Sequence, residues 1–340
     1  MQDAHTDARF DAMRAWLGTL DTSLNLQLDS LCPASSDAGF RRYFRVLTAE
    51  GRSFIAMDAP PEKENNEAFV RVDGLMREAG LNVPEILAKN LDAGYMLLSD
   101  LGTQTYLDVL NEENASELMN AATDALVKWQ MASRPGVLPD YDEAVLRREI
   151  ALFPEWYVGR HRGYMMTDKQ QEIIGRTFDK IIAHNLKEAR VFVHRDFMPR
   201  NLMATEPLPG VLDFQDALYG PVSYDIASLM RDAFLSWGES FVLDITIRYW
   251  QKARDAGVAV PHDFGEFWRD VEWMGMQRHL KVLGIFARIN YRDGKPKYLA
   301  DTPRFIHYVR QTANRYDELK PINWLLDQFE DIKTQAAFTY

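Results

Sequence analysis

The sequence predicts an α+β fold in two lobes, a small antiparallel β-rich N-terminal lobe leading into a large, mainly helical C-terminal lobe. Three observations carry this expectation. Between Leu26 and Ala59, apolar residues come in short strand-type runs separated by turn residues; from Thr105 onward, apolar spacing is almost wholly helical. One stretch, Val191 to Asp225, interrupts the helical pattern with two short apolar runs that each deliver polar side chains. At 340 residues, of which 46% are apolar, the chain is long enough for two domains or one bilobal one. The expected division is 1–98 for the N-terminal lobe, 99–103 for a hinge and 104–340 for the C-terminal lobe.

Taken in order, Phe10, Met13, Leu17 and Leu20 recur at helical spacing and predict a short amphipathic helix ahead of the first lobe. Leu26 to Ser35, Phe40 to Thr48 and Arg52 to Ala59 read as strands, the last two joined by a Glu50-Gly51 turn. The loop from Ser35 to Phe40 reads as an ordinary hairpin loop or, from its position ahead of the Val191 to Asp225 stretch, as a phosphate-covering loop. Its backbone N–H groups and the Ser35 or Ser36 hydroxyls would then approach a phosphate. Glu64 through Ala79 is helical, with Phe69, Val72, Leu75 and Met76 in one stripe and Gly80 at its end. Asn82 to Pro84 is extended, Asp92-Ala93-Gly94 a turn and Tyr95 to Leu98 a further strand. Ser99-Asp100-Leu101-Gly102 is a polar break where the lobes join.

Helices follow over Glu117 to Met131 and Glu143 to Tyr157, and the capping box Thr167-x-x-Gln170 opens another through Ile182. Ser223 is placed to cap a helix from Tyr224 to Phe234. Asp225 then lies in its first turn, where a carboxylate suits the helix dipole and steadies the loop carrying Asp213. Tyr219-Gly220-Pro221 reads as a turn. In the last helix, Phe267 to about Tyr291, Met276, Leu280, Leu283 and Phe286 face the core. On another side Arg278, Lys281, Arg288 and Arg292 form a basic stripe. It is either a solvated face with ion pairs or a site for a substrate carboxylate or phosphate, which the fork of arginine fits.

A net charge of −11 disfavours nucleic acid and anionic membrane as partners. No run of 18 apolar residues occurs and the start, MQDAHTDARF, is not a secretory signal, so a cytoplasmic location is expected. The one cysteine, Cys32, forms no intramolecular disulfide and is expected to be buried packing. No obligate protein partner is inferred.

In the interrupting stretch, Val191-Phe192-Val193 delivers His194-Arg195-Asp196, Asn201 comes five residues later, and Val211-Leu212 delivers Asp213-Phe214. Each polar group sits where a short strand ends. Phosphoryl transfer from a magnesium nucleotide needs a carboxylate to orient the attacking hydroxyl and oxygen ligands to hold the metal on the phosphates. Asp196 fits the first role; Asn201 and Asp213 fit the second, since Mg²⁺ keeps water and phosphate oxygens for its remaining positions.

HRDFMPRN followed by LDFQD resembles the protein-kinase-like superfamily, and specifically its aminoglycoside phosphotransferase branch of small-molecule kinases. That resemblance implies a bilobal protein-kinase-like fold, ATP with Mg²⁺ as cofactors, and an adenine edge read by backbone groups of Ser99 and Leu101. The pattern E-x₁₂-G-L-x-V-P makes Glu67 the counterpart of the family's αC glutamate, while as a residue it also reads as a solvated helix-face glutamate. Met198 stands where protein kinases usually carry a lysine, Gln215 holds the third position of the Asp-Phe-Gly motif, and no Ala-Pro-Glu follows. These departures argue against a protein substrate. Met57 stands where the third strand would carry the phosphate-pairing lysine. Arg41, Arg42, Arg45 and Lys63 are the nearby cations, and the missing lysine also motivates a reading as a nucleotide-binding pseudokinase module.

More narrowly, HRDFMPRNLM, VLDFQDALYGPVSYDIASL and QRHLKVLGIFARINYRDGKPKYL resemble the bacterial anomeric kinases that act on N-acetylmuramate and N-acetylglucosamine. This implies a small-molecule sugar substrate, phosphorylation of its C1 hydroxyl and a place in peptidoglycan recycling. Arg288 would meet the lactyl carboxylate of N-acetylmuramate. A kinase for an aminoglycoside, another amino sugar or an amino alcohol would use the same three residues.

Overall fold

The computed structural model describes residues 7–20, 22–34 and 40–330, so Ser35 and Ser36 of the expected phosphate-covering loop lie outside the described residues. Helix α1 (Ala8–Leu17) is capped by Asp7, whose side chain accepts from the Phe10 amide. Strands β1 (Leu26–Pro33), β2 (Arg42–Thr48) and β3 (Ser53–Asp58) precede helix α2 (Asn66–Glu78). Strands β4 (Ile86–Asn90) and β5 (Tyr95–Ser99) complete an antiparallel sheet of order β1-β2-β3-β5-β4. The edge strand β4 is short and only half-buried, which is why its residues carry little strand signal.

The two faces of this sheet differ in chemistry. Val46, Phe54, Ala56, Tyr95 and Leu97 pack with Met13 and Leu17 of α1. At the end of that face, fully buried Asp58 accepts from Arg9 Nε and Arg42 Nε at 2.9 Å each, pinning α1 to the β2–β3 hairpin. Strand alternation puts Tyr43, Arg45 and Met57 on the opposite face, Tyr43 directly across from Met57. Cys32 is exposed rather than buried, because it lies near the end of the edge strand β1, where neighbouring side chains cover little.

The later elements are α3 (Tyr106–Val109), α4 (Ala115–Met131), α5 (Glu143–Ile150), α6 (Asp168–Asn185), β6 (Arg190–Val193), β7 (Leu202–Met203), β8 (Gly210–Val211), β9 (Leu218–Pro221), α7 (Tyr224–Met230), α8 (Glu239–Ala256), α9 (Phe264–Asp293), α10 (Thr302–Arg315) and α11 (Lys320–Phe329). The Thr167 capping box opens α6 as expected. Three expectations are corrected. The helix expected over Glu143 to Tyr157 stops at Ile150, and a π-helical segment, Phe153–His161, comes next, because Pro154 has no N–H to continue the α-helical ladder. Tyr219-Gly220-Pro221 is not a turn but part of β9, paired antiparallel with β6. Helix α7 ends at Met230, and Ser223 makes no side-chain cap; the Ser223 amide donates to Glu188 at 3.0 Å instead.

The chain forms two compact units, one of Met1–Leu110 with Arg200–Asp216 and one of Asn111–Pro199 with Ala217–Tyr340. Among the described residues no helix is long and apolar enough to cross a membrane.

Candidate active site

Asp196 belongs to the helical unit. Buried β6 leads into His194, which is 1% exposed, and Arg195, whose φ of +78° is left-handed and strained for a residue with a side chain. The Asp225 carboxylate, in the first turn of α7, accepts the backbone N–H of His194 at 2.7 Å and of Arg195 at 3.0 Å. Asp225 therefore holds the loop carrying Asp196, not the loop carrying Asp213 as its sequence position suggested. Burial pushes the Asp225 carboxyl up to about 7, against the pull of the two amides. The Asp196 amide in turn donates to His194 Nδ1 at 3.2 Å.

Arg195 is anchored from its other end. It pairs with Glu149 of α5, and Glu149 also meets Lys281 Nζ of α9 at 3.0 Å and the Tyr141 hydroxyl. Lys281 donates to the Tyr224 hydroxyl at 3.1 Å. Burial raises the Glu149 carboxyl, but Lys281 and Arg195 outweigh it and hold the group below the usual carboxylate range. Sequence reasoning missed Glu149, since a glutamate within an amphipathic helix carries no sign of a distant arginine.

Asn201 and Asp213 belong to the β-rich unit. The β7–β8 pairing, Leu202 with Val211 and Met203 with Gly210, folds their segment back on itself, and the Leu212 amide donates to the Asn201 carbonyl at 2.9 Å. This brings Asn201 Nδ2 to 3.3 Å from Asp213 Oδ2, while Gln215 Nε2 donates to Asp213 Oδ1 at 2.8 Å. Asp213 has φ +64°, a left-handed conformation that turns its backbone between β8 and Phe214. Phe214 is buried against Phe69 of α2, ring centroids 5.0 Å apart.

Elsewhere in the β-rich unit, the Ser99 amide donates to the Glu85 carbonyl at 2.8 Å and the Ser99 hydroxyl accepts from the Glu85 amide at 2.7 Å. The Leu101 carbonyl accepts from the Thr205 hydroxyl. Between them Asp100 meets Arg45 Nε at 2.5 Å, and Arg45 also donates to the Gly102 carbonyl, so this cation fixes the segment itself. Glu67 is exposed in the first turn of α2 and takes part in no ion pair among the described residues. Glu64, just before the helix, pairs instead with Arg41 at 2.7 Å.

Of the basic stripe on α9, Arg278 is 2% exposed, Lys281 is held by Glu149, and Arg292 pairs with its neighbour Asp293. The stripe thus runs from interior to solvent and is not a uniformly solvated face. Arg288 is half-buried and has no ion-pair partner among the described residues. Burial, with Arg292 alongside, lowers its affinity for the proton. Among those residues no three His, Cys, Asp or Glu side chains group to hold a metal ion; the expected magnesium set needs only one amide and one carboxylate.

The model of the phosphotransferase enzyme family matches residues 30–258. The N-acetylmuramate/N-acetylglucosamine kinase of Pseudomonas aeruginosa is 51% identical over 327 residues, covering 94% of this chain and 96% of that one. The enzyme of the same name from Neisseria meningitidis serogroup B is 47% identical over 333 residues, covering 96% and 98%. Among solved structures, choline kinase from Cryptosporidium parvum shares the fold with a TM-score of 0.61 at 12% identity, covering 94% of this chain and 98% of that one.

Proposed function

The chain belongs to the phosphotransferase enzyme family, and from that premise we propose that it is an ATP-dependent kinase of N-acetylmuramate and N-acetylglucosamine. The observation that carries the substrate is the agreement, at about half of all positions and over nearly the full length, with two relatives bearing that name. The acceptor in this reading is the anomeric C1 hydroxyl, and the 1-phosphate serves peptidoglycan recycling.

Asp196 hydrogen-bonds the C1 hydroxyl, aligns it with the γ-phosphorus and accepts its proton; positioning and electrostatics supply the rate, with no covalent enzyme intermediate. Support comes from the double restraint on its loop, by Asp225 at the backbone and by the Glu149–Arg195 pair beyond it. Asn201 and Asp213 suit a magnesium ion, because the two side chains are neighbours, Asn201 Nδ2 standing 3.3 Å from Asp213 Oδ2, and each also carries an oxygen of the hard kind that magnesium takes. When bound, Mg²⁺ supplies neutralisation of charge on the phosphates. Arg288, half-buried and unpaired among the described residues, suits the lactyl carboxylate of N-acetylmuramate.

The test is ³¹P NMR of the protein with Mg·ATP and, in parallel, N-acetylmuramate, N-acetylglucosamine and an aminoglycoside. An acid-labile phosphate coupled to the anomeric proton is expected with both amino sugars. Phosphorylation of the aminoglycoside alone would overturn the reading.

A further inference from the structure

The β-rich unit lacks a lysine at Met57, and an acidic protein that takes a triphosphate must bring a cation to it locally. Most basic side chains near this sheet already have structural partners. Arg9 and Arg42 hold buried Asp58, and Arg45 holds Asp100 and the Gly102 carbonyl. Lys63 lies over the Phe40 ring at 5.5 Å.

Arg41 differs from these. It directly precedes β2, and alternation from Tyr43 puts it on the sheet face that carries Met57, away from α1. Its side chain is 13% exposed and meets that of Glu64, 14% exposed, at 2.7 Å, while its Nε is buried with no hydrogen-bond partner among the described residues. Glu64 stands just ahead of α2, whose first turn is fixed twice more: Asn66 Nδ2 donates to the Ala59 carbonyl at 2.9 Å, and Phe69 packs on Phe214, next to Asp213. One end of one helix thus gathers a nearly buried Arg–Glu pair and the neighbour of the expected metal carboxylate.

We propose that Arg41, held in place by Glu64, is the cation that contacts the phosphate oxygens of the bound nucleotide, in place of a third-strand lysine. Arg41 is then a binding residue and Glu64 a positioning residue; Glu67, exposed and outside any ion pair among the described residues, takes no part. The guanidinium has five donors, so an ion pair with Glu64 leaves others for a phosphate. The inference rests on the kinase reading for its ligand, and its test needs no sugar.

Calorimetric binding of Mg·AMP-PNP to the full chain without sugar reads the proposal separately from the acceptor. Arg41→Ala is expected to weaken binding roughly 10- to 100-fold, the range of a charge-assisted hydrogen bond. Glu64→Gln should weaken it by a smaller factor, and Lys63→Ala should stay within about two-fold of the parent protein, as for a surface contact. Adding Met57→Lys to Arg41→Ala should restore part of the loss from the neighbouring strand, a recovery that a merely structural role for Arg41 does not predict. Should Arg41→Ala fail to fold, Arg41→Gln, which keeps the stem and a donor for Glu64, reads the same loss. Binding by the arginine variant within two-fold of the parent protein, or a loss found in Lys63→Ala and not at Arg41, overturns the proposal. A parent protein that binds the nucleotide yet phosphorylates no amino sugar overturns the acceptor assignment and leaves this one standing.

Discussion

Asp196 follows two residues whose backbone amides both point at one buried carboxylate, so Asp225 fixes the backbone that leads into it. If it aligns the acceptor and takes its proton, Asp196→Asn lowers kcat by roughly 10²–10⁴ while nucleotide affinity stays near that of the parent, measured by steady-state kinetics and calorimetry. Full turnover in that variant would remove Asp196 from the role. Asp225 makes a second prediction. Its carboxyl is raised to about 7 by burial, above its ordinary value of 3.8, so the folded state keeps a proton that the unfolded chain has lost. The stabilisation from this group is complete below about pH 4 and lost as pH rises through about 7. Thermal unfolding of the parent should therefore fall in temperature between about pH 5 and 8 on this account, and Asp225→Asn should flatten that slope; an equal slope in both would assign it to other groups.

At the scale of elements, local chemistry decided the outcome where a signal was self-contained. The Thr167 capping box, the Gly80 helix end and the β2–β3 hairpin all formed where their residues put them. The periodicity through Tyr157 was misleading because helical spacing persists in a π-helical segment, while Pro154 changes the hydrogen bonding that spacing does not report. Helix α9 lies against this region so closely that a Cβ on Gly284 would overlap the Leu152 carbonyl. Gly284→Ala is expected to destabilise the fold by about 1–3 kcal/mol, read by denaturant unfolding, since backbone rather than a flexible side chain must yield. Gly175→Ala in α6, where a Cβ meets nothing within 4 Å, should be neutral or stabilising.

For the whole molecule, nucleotide binding is linked to folding. Mg·AMP-PNP at about one hundred times its dissociation constant should stabilise the protein by about 2.7 kcal/mol, visible as a raised unfolding temperature. No shift at any concentration would remove the nucleotide from the reading. The segment Arg200–Asp216, placed by sequence amid helices, joins the compact unit of the first strands. By itself the sequence determined the β2–β3 hairpin, the helices α2, α4 and α6, the acidic balance, and the residue types of the stretch from His194 to Asp213, because strand ends, caps and motif spacing are properties of a residue and its near neighbours. Tertiary structure alone decided that Arg195 rests on Glu149 and Lys281, that Asp225 holds the backbone before Asp196, and that Glu64 rather than Glu67 meets an arginine. A charged side chain inside an amphipathic segment shows which way it faces, whereas its partner is set by which other segment is packed there, and that is a property of the packing.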